Sequence, residues 1–287
     1  MDSIKIWDKN DNEINLSNYG LKGLDLIPES PSYTSENENI PGMDGVIPLG
    51  KQRNPIVLTA RFLAKSFDYV DSLIKRDGIY DLFNGGESFY IATAKQNYKR
   101  WLVESNEEWT PERYNPTTSE ITLNLICNKA YAESIGTTLQ STTFQHLDVP
   151  VTVNDYRNIR ATRFRIYNPG KPIDPRSIND HLKITMQGES NNLQIKNLTT
   201  GDVWQYNGST NANQTIVLDG IRSLKSGLSI FRDTNKKLIS LAHGWNEFEV
   251  TGSPNTKRRA VQANMPRRKM SESERPNPFT FEFIFKF

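Results

Sequence analysis

A few groups of residues in this 287-residue chain have the types and spacing that chemistry requires. Trp204 and Tyr206 stand two apart in a strand-like run, and Trp245 sits in a turn-like Gly-Trp-Asn. Beside Gln205 and Asn207 these rings could stack on sugars; packing into a core is the competing reading. Lys257, Arg258, Arg259, Arg267, Arg268 and Lys269 form a basic tract with no acid between them, inside a connection of more than 25 residues. Such a tract could clamp an acidic face of a neighbouring subunit, lie solvated, or touch a polyanion such as nucleic acid or a phosphate-rich wall polymer. It lacks the interleaved aromatic residues of a nucleic-acid binder. Glu107 and Glu108 could supply two acids for glycoside hydrolysis, but adjacent residues on a strand point apart.

Other reaction classes have no foothold. The sequence contains no G-x-S-x-G elbow, no phosphate loop ending in Gly-Lys-Ser/Thr and no H-E-x-x-H, and His146, His181 and His243 are scattered. Asp8, Asn10 and Asn12 occupy the first, third and fifth positions of a calcium loop, yet Glu13 and Tyr19 stand where that loop needs Gly and Glu, so a plain hairpin turn is expected. The lone Cys127 excludes an internal disulfide and ends an alternating strand, which predicts a buried, inert thiol. Asn15, Asn197, Asn207 and Asn213 begin N-x-Ser/Thr sequences and read as polar turns and strand edges.

The elements that position these residues are mostly strands. Hydrophobic content of 36% with 24% charged residues is that of a soluble globular protein, and no apolar run reaches the ~20 residues of a membrane helix. With no basic-then-apolar start, the chain is expected to stay in a cytoplasm. Residues 1–130 hold 14 Lys+Arg against 19 Asp+Glu, and the remainder holds 21 against 14, so an acidic half precedes a basic one. Ile4, Ile6, Ile14 and Leu16 flank an opening hairpin, and residues 28–41, with three prolines, predict a long irregular connection. The turn Pro41, Gly42, Met43, Asp44, Gly45 then precedes alternating strands at 56–62, 88–93, 99–104 and 120–127. One helix is expected over 67–83, with Ser66 as its N-cap, Gly85-Gly86 at its end, and Val70, Leu73, Tyr80 and Phe83 on the face toward a sheet. Ser- and Thr-rich residues 136–150 predict a linker. Beyond it, short runs at 162–167, 181–186, 192–197, 203–206, 214–218, 228–231, 246–251 and 280–287 predict a sandwich or barrel. Phe279, Phe281, Phe283, Phe285 and Phe287 share one face of the last strand and need a core to cover them.

The order PGMDG, PIVLTARFLAKSFDYVDSLIKRDGIYDLF, ESFYIATA and ITLNLICNKAYAES, followed by NLTTGDVWQY, IVLDG and GWNEFEVTG, resembles the distal tail (Dit) proteins of long-tailed, non-contractile bacteriophages, the siphophage tail component family. The resemblance implies a mainly β chain: an N-terminal β-rich ring-forming domain with one packed helix over 1–135, a linker at 136–150, and a C-terminal galectin-like β-sandwich over 151–287. It implies a structural virion protein, neither an enzyme nor a cofactor carrier. Its copies would close a homohexamer at the tail tip, or baseplate, with Pro41, Gly42, Asp44 and Gly45 in a ring-domain turn and residues 28–41 wrapping neighbours. Its partners would be the major tail (tube) protein, the tape-measure protein, the tail-associated lysin and the receptor-binding protein, joined after synthesis in the cytoplasm of a bacterial host. The basic tract is longer than the connection the family would place there. The rival reading is a lectin-like protein that contacts host cell-wall glycan.

Overall fold

The computed structural model describes residues 3–42, 44–96, 98–144, 147–252 and 278–287. The chain divides into two compact units, Met1–Glu133 and Ser134–Phe287. The first unit contains β1 (Ile4–Trp7), β2 (Glu13–Ile14), β3 (Leu21–Pro28), β4 (Tyr33–Glu38), β5 (Ile47–Arg53), β6 (Ile56–Lys65), α1 (Tyr69–Asn84), β7 (Phe89–Thr93), β8 (Lys99–Val103), β9 (Glu112–Asn115) and β10 (Thr118–Cys127). Strand β11 (Glu133–Ser134) spans the boundary.

Two sheets build this unit. In one, the strands lie in the order β8-β7-β1-β2; in the other, β3-β6-β10-β9. The longest ladder joins β6 to β10 without a break, from Ile56↔Cys127 to Lys65↔Thr118. Period-2 alternation explains it: Ile56, Leu58, Ala60 and Phe62 of β6, with Ile121, Leu123, Leu125 and Cys127 of β10, are all buried, while Thr122 and Asn124 are exposed. Gly23 on β3 lets the two sheets meet, because a Cβ there would stand 2.6 Å from the Cβ of Ile4.

The helix starts two residues later than the sequence predicts. Its N-cap is Asp68, whose carboxylate accepts the amide of Asp71 at 2.8 Å, while the Asp71 carboxylate accepts the amide of Phe67 at 2.7 Å. Ser66 is held by the sheet, donating its amide to the Thr117 carbonyl at 2.9 Å. The buried face carries Ile79 and Phe83, and Phe83 packs on Phe62 with ring centroids 5.2 Å apart. Val70 lies about 180° around the helix from Ile79 and is exposed, contrary to the expected face. Residues 28–41 also differ from expectation, since they contain strand β4, which pairs with β5 as a separate two-stranded ribbon.

The second unit contains β12 (Arg163–Asn168), β13 (Leu182–Gln187), β14 (Ser190–Asn191), β15 (Gln194–Asn197), β16 (Asp202–Gln205), β17 (Ser209–Thr210), β18 (Thr215–Asp219), β19 (Arg222–Lys225), β20 (Leu228–Ser229), β21 (Gly244–Thr251) and β22 (Phe279–Phe283). Its sheets run β12-β21-β15-β16 and β20-β19-β18-β13-β22, and a continuous apolar core lies between them. Phe248 of the first sheet meets Phe281 of the second at 5.0 Å. This is a β-sandwich.

The terminal strand closes it. Phe279, Phe281, Phe283 and Phe285 are fully buried and Phe287 is half-buried. Residues 134–138, where the expected linker begins, run beside this strand. The Ser134 amide donates to the Phe285 carbonyl at 2.8 Å, and the Thr138 amide donates to the Phe283 carbonyl at 3.0 Å. Thr138 and Thr143 are buried. Replacing Phe281 by Ala removes a ring from the middle of the core, and Phe281→Ala is expected to lower the stability of the second unit by ~3–5 kcal/mol in urea or thermal unfolding. A loss below ~1 kcal/mol would contradict the packing described.

Candidate functional site

Strands β4 and β5 form an arm. Every residue of both strands is exposed except Arg53, which is half-buried at the base with its guanidinium 4.1 Å from the Tyr131 ring centroid. The base is tied by Asn54, whose amide donates to the Ser32 carbonyl at 3.0 Å and whose side-chain oxygen accepts the Thr34 hydroxyl at 2.8 Å. Beyond the base, Tyr33, Ile40, Val46, Ile47 and Leu49 present apolar side chains to solvent. Pro41, Gly42, Asp44 and Gly45 stand at the arm's tip, and both glycines have φ of +89°. Two residues apart on β4, Glu36 and Glu38 share a face, and Glu38 pairs with Ile47 across the ladder. From Glu36 to Ile47 the sequence holds three acids and no base, in a stretch whose Ser, Asn, Glu and Pro content reads as an irregular connection.

A second surface lies at the other end of β6. A cavity of about 190 Å³ opens between α1 and the sheet, with the buried Ile79 and Ile121 in its wall. Among the described residues three cations, Lys75, Arg76 and Arg113, line it, and no carboxylate does. Lys75 pairs with Asp71 at 2.8 Å and Arg76 with Asp77 at 2.8 Å. The hydrogen bond from Lys75 holds the Asp71 carboxyl below the usual range. Arg113 lies 5.0 Å from the Tyr69 ring centroid and has no carboxylate partner among the described residues.

The aromatic candidates separate. Trp204 is 1% exposed and donates its indole N–H to the Ser223 hydroxyl at 3.2 Å, and Tyr206 is 5% exposed. Both belong to the core, so neither ring can receive a sugar. The cause is the direction of β16, which turns Trp204 into the core, an alternation that Tyr206 continues just past the strand's end. Trp245 is 42% exposed, paired across the ladder with Tyr167, whose ring is 5.0 Å away, and its ring lies 5.2 Å from the Arg165 guanidinium. Lys257, Arg258, Arg259, Arg267, Arg268 and Lys269 lie outside the described residues, as does His146.

The remaining candidates fill structural roles. Glu107 and Glu108 are exposed in a loop, where Glu107 accepts the Asn124 side-chain amide at 3.1 Å. Asp8 accepts the backbone amides of Asn10 and Asn12 at 2.8 and 2.9 Å, as a hairpin turn requires. Burial pushes the Cys127 thiol above its ordinary pKa. Asn197, read as an edge residue, is buried instead, and its amide donates to the Ser240 carbonyl at 2.8 Å and to the Asn246 side chain at 3.0 Å. No cluster of metal-ligating residues occurs among the described residues.

Residues 10–127 match the family model of the phage tail protein RIFT-related domain. No curated protein sequence matches the chain. Among solved structures, the chain is similar to the Dit protein of phage SPP1, described as a paradigm of the hub adsorption apparatus of phages infecting Gram-positive bacteria. The TM-score is 0.62 at 12% identity, over 99% of both chains. A chain of the phage p2 baseplate in its activated conformation gives a TM-score of 0.44 at 10% identity, over 99% of this chain and 98% of that one. Residues 10–127 are thus similar to a phage tail protein domain, and the chain shares the fold of the SPP1 Dit protein.

The two tryptophans give opposite expectations. Trp204→Ala should cost ~3–5 kcal/mol of stability, whereas Trp245→Ala should stay within ~1 kcal/mol, both read by chemical denaturation. Equal effects would contradict the assignment of one ring to the core and the other to the surface.

Proposed function

We propose that this tail protein is a subunit of a hexameric ring at the distal end of the tail, a hub joining the tail tube to the tail-associated lysin and the receptor-binding protein. The arm carries the reading. A two-stranded ribbon with exposed apolar residues on an otherwise well-packed unit is marginal alone and gains stability by lying on another chain. A ring needs that asymmetry, since each subunit presents one surface to the neighbour on its left and a different one to the neighbour on its right. The phage tail domain at residues 10–127 and the Dit fold support the same reading. The role is assembly, without catalysis or cofactor. The ring would encircle a passage for the tape-measure protein and later the DNA. The ring domain would be followed by a galectin-like sandwich from about Val151, and the protein, made in the host cytoplasm, would end in the virion tail tip.

The purified 32.8 kDa chain is expected to give a ring mass near a hexamer, or a stack of two, by light scattering, with rings in negative stain. Replacing residues 34–52 by a short Gly-Ser link should leave a folded monomer. A chain that stays monomeric at every concentration, with purified tube protein present as well as without it, would overturn the reading.

One observation favours a second role, contact with cell-wall glycan. Trp245 is exposed on the outer face of its sheet beside Tyr167 and Arg165, an aromatic platform with a polar flank. The wild-type chain should then sediment with purified cell walls and Trp245→Ala should not. Equal sedimentation of both would remove this role and leave the hub reading untouched.

A further inference from the structure

We infer that the cavity beside the helix is the socket for the acidic face of a second copy's arm, with Glu36 and Glu38 meeting Arg113, Lys75 and Arg76, and Ile47 covering the apolar rim. This rests on the ring reading and names the surface that receives the arm.

Both halves of the contact are on this chain, and they do not meet within it. The arm joins β6 at its Ile56 end, while the cavity is built at the other end, from Ala64 and Ser66 across to Ser119 and Ile121. At ~3.3 Å per residue, the ten residues of β6 place roughly 30 Å between them. None of the described arm residues lines the cavity. A donor and an acceptor fixed at opposite ends of one strand can be joined only between molecules, and such a contact is head-to-tail.

The chemistry matches. Glu36, Glu38 and Asp44 form no ion pair among the described residues, and Arg113 has no carboxylate partner. Lys75 and Arg76 already pair with Asp71 and Asp77, so Arg113 is the lining cation left to hold a carboxylate through charge-assisted hydrogen bonds, beside the hydroxyls of Ser66 and Ser119. Ile79 and Ile121 supply an apolar wall for Ile47. Val70 and Ile74 on the outer side of the same helix, exposed by 62% and 68%, with Phe67 just before its cap, exposed by 90%, add a second apolar strip for the rest of the arm. A second copy brings acids and aliphatic side chains together on one ribbon face, which inorganic phosphate or a nucleic acid would not.

The test is a charge swap in the full-length chain. Arg76→Glu with Arg113→Glu, on the socket side, is expected to weaken ring formation about tenfold or more, read as the concentration at which light scattering shows half assembly. Glu36→Arg with Glu38→Arg, on the arm, should do the same. Combining all four substitutions should restore assembly toward the wild-type concentration. All of these positions are exposed or at a cavity rim, and circular dichroism with a thermal melt would confirm that each variant folds. If the arm deletion abolishes rings but the socket reversal leaves them intact, or if the fourfold variant assembles no better than either pair, the socket assignment is wrong and the ring stands. If the wild-type chain forms no ring in any condition, the ring reading falls and this inference falls with it.

Discussion

The unbroken ten-residue ladder between β6 and β10 is the constraint from which the first unit is organised. Its inward side chains anchor the core, and Phe62 fixes the helix through Phe83. What matters for assembly is where its ends lead. One end of β6 receives the arm through Arg53 and Asn54; the other hands the chain to Ser66 and the helix cap at Asp68. Main-chain hydrogen bonds along a fully paired central strand make it a strut of fixed length, so the two surfaces stand at a fixed separation. The proposed ring would need that rigidity, because small errors in the angle between its two contacts would accumulate around the circle and leave it open.

Sequence patterning revealed the elements that bury a face within their own chain, and missed the one that does not. Ile56 to Phe62, Ile121 to Cys127 and Phe279 to Phe285 alternate because alternate residues enter a core. The arm has no such rhythm. Solvent covers both faces of β4 and β5, so selection for a core leaves no period of two in Tyr33–Glu38, and its prolines and glycines read as loop. The helix shows a related limit. Apolar residues at three- and four-residue steps placed Val70 on the buried face, but the helix also carries apolar residues on its outer side, and only packing shows which strip meets the sheet. Trp204 and Tyr206 were ambiguous for the opposite reason: aromatic alternation is the same whether the face meets a core or a ligand.

The second unit puts its polar specificity inside. Asn246 accepts the Ala242 amide at 2.7 Å and donates to the Ala242 carbonyl at 2.9 Å, while the Asp202 carboxylate accepts the Ser240 amide at 2.9 Å. With Asn197 these groups satisfy the backbone of the segment entering β21, which otherwise would bury unpaired donors and acceptors. The sandwich is thus held by its core and by this network, and Trp245 stands on the outer sheet face against Tyr167 and Arg165. Substitutions on that outer face therefore cost less stability than substitutions among the buried groups.

An exposed ribbon is hazardous before its partner arrives. Both strands of the arm are edges, with unpaired main-chain groups and apolar side chains open to solvent, and such edges pair with each other indiscriminately. The arm's own residues counter this. Glu36 and Glu38 repeat along β4 and Asp44 stands at the tip, so two arms aligned edge to edge bring like charges together, while Pro48 in β5 removes one ladder donor. The bulge between Glu36 and Asn37 breaks the regular register as well. The carboxylates that repel a second arm are the ones the proposed socket would attract, so the same charges oppose aggregation and favour assembly. In the contact we propose, the arm is the acidic surface and Arg113, at the other end of β6, is the basic group that receives it.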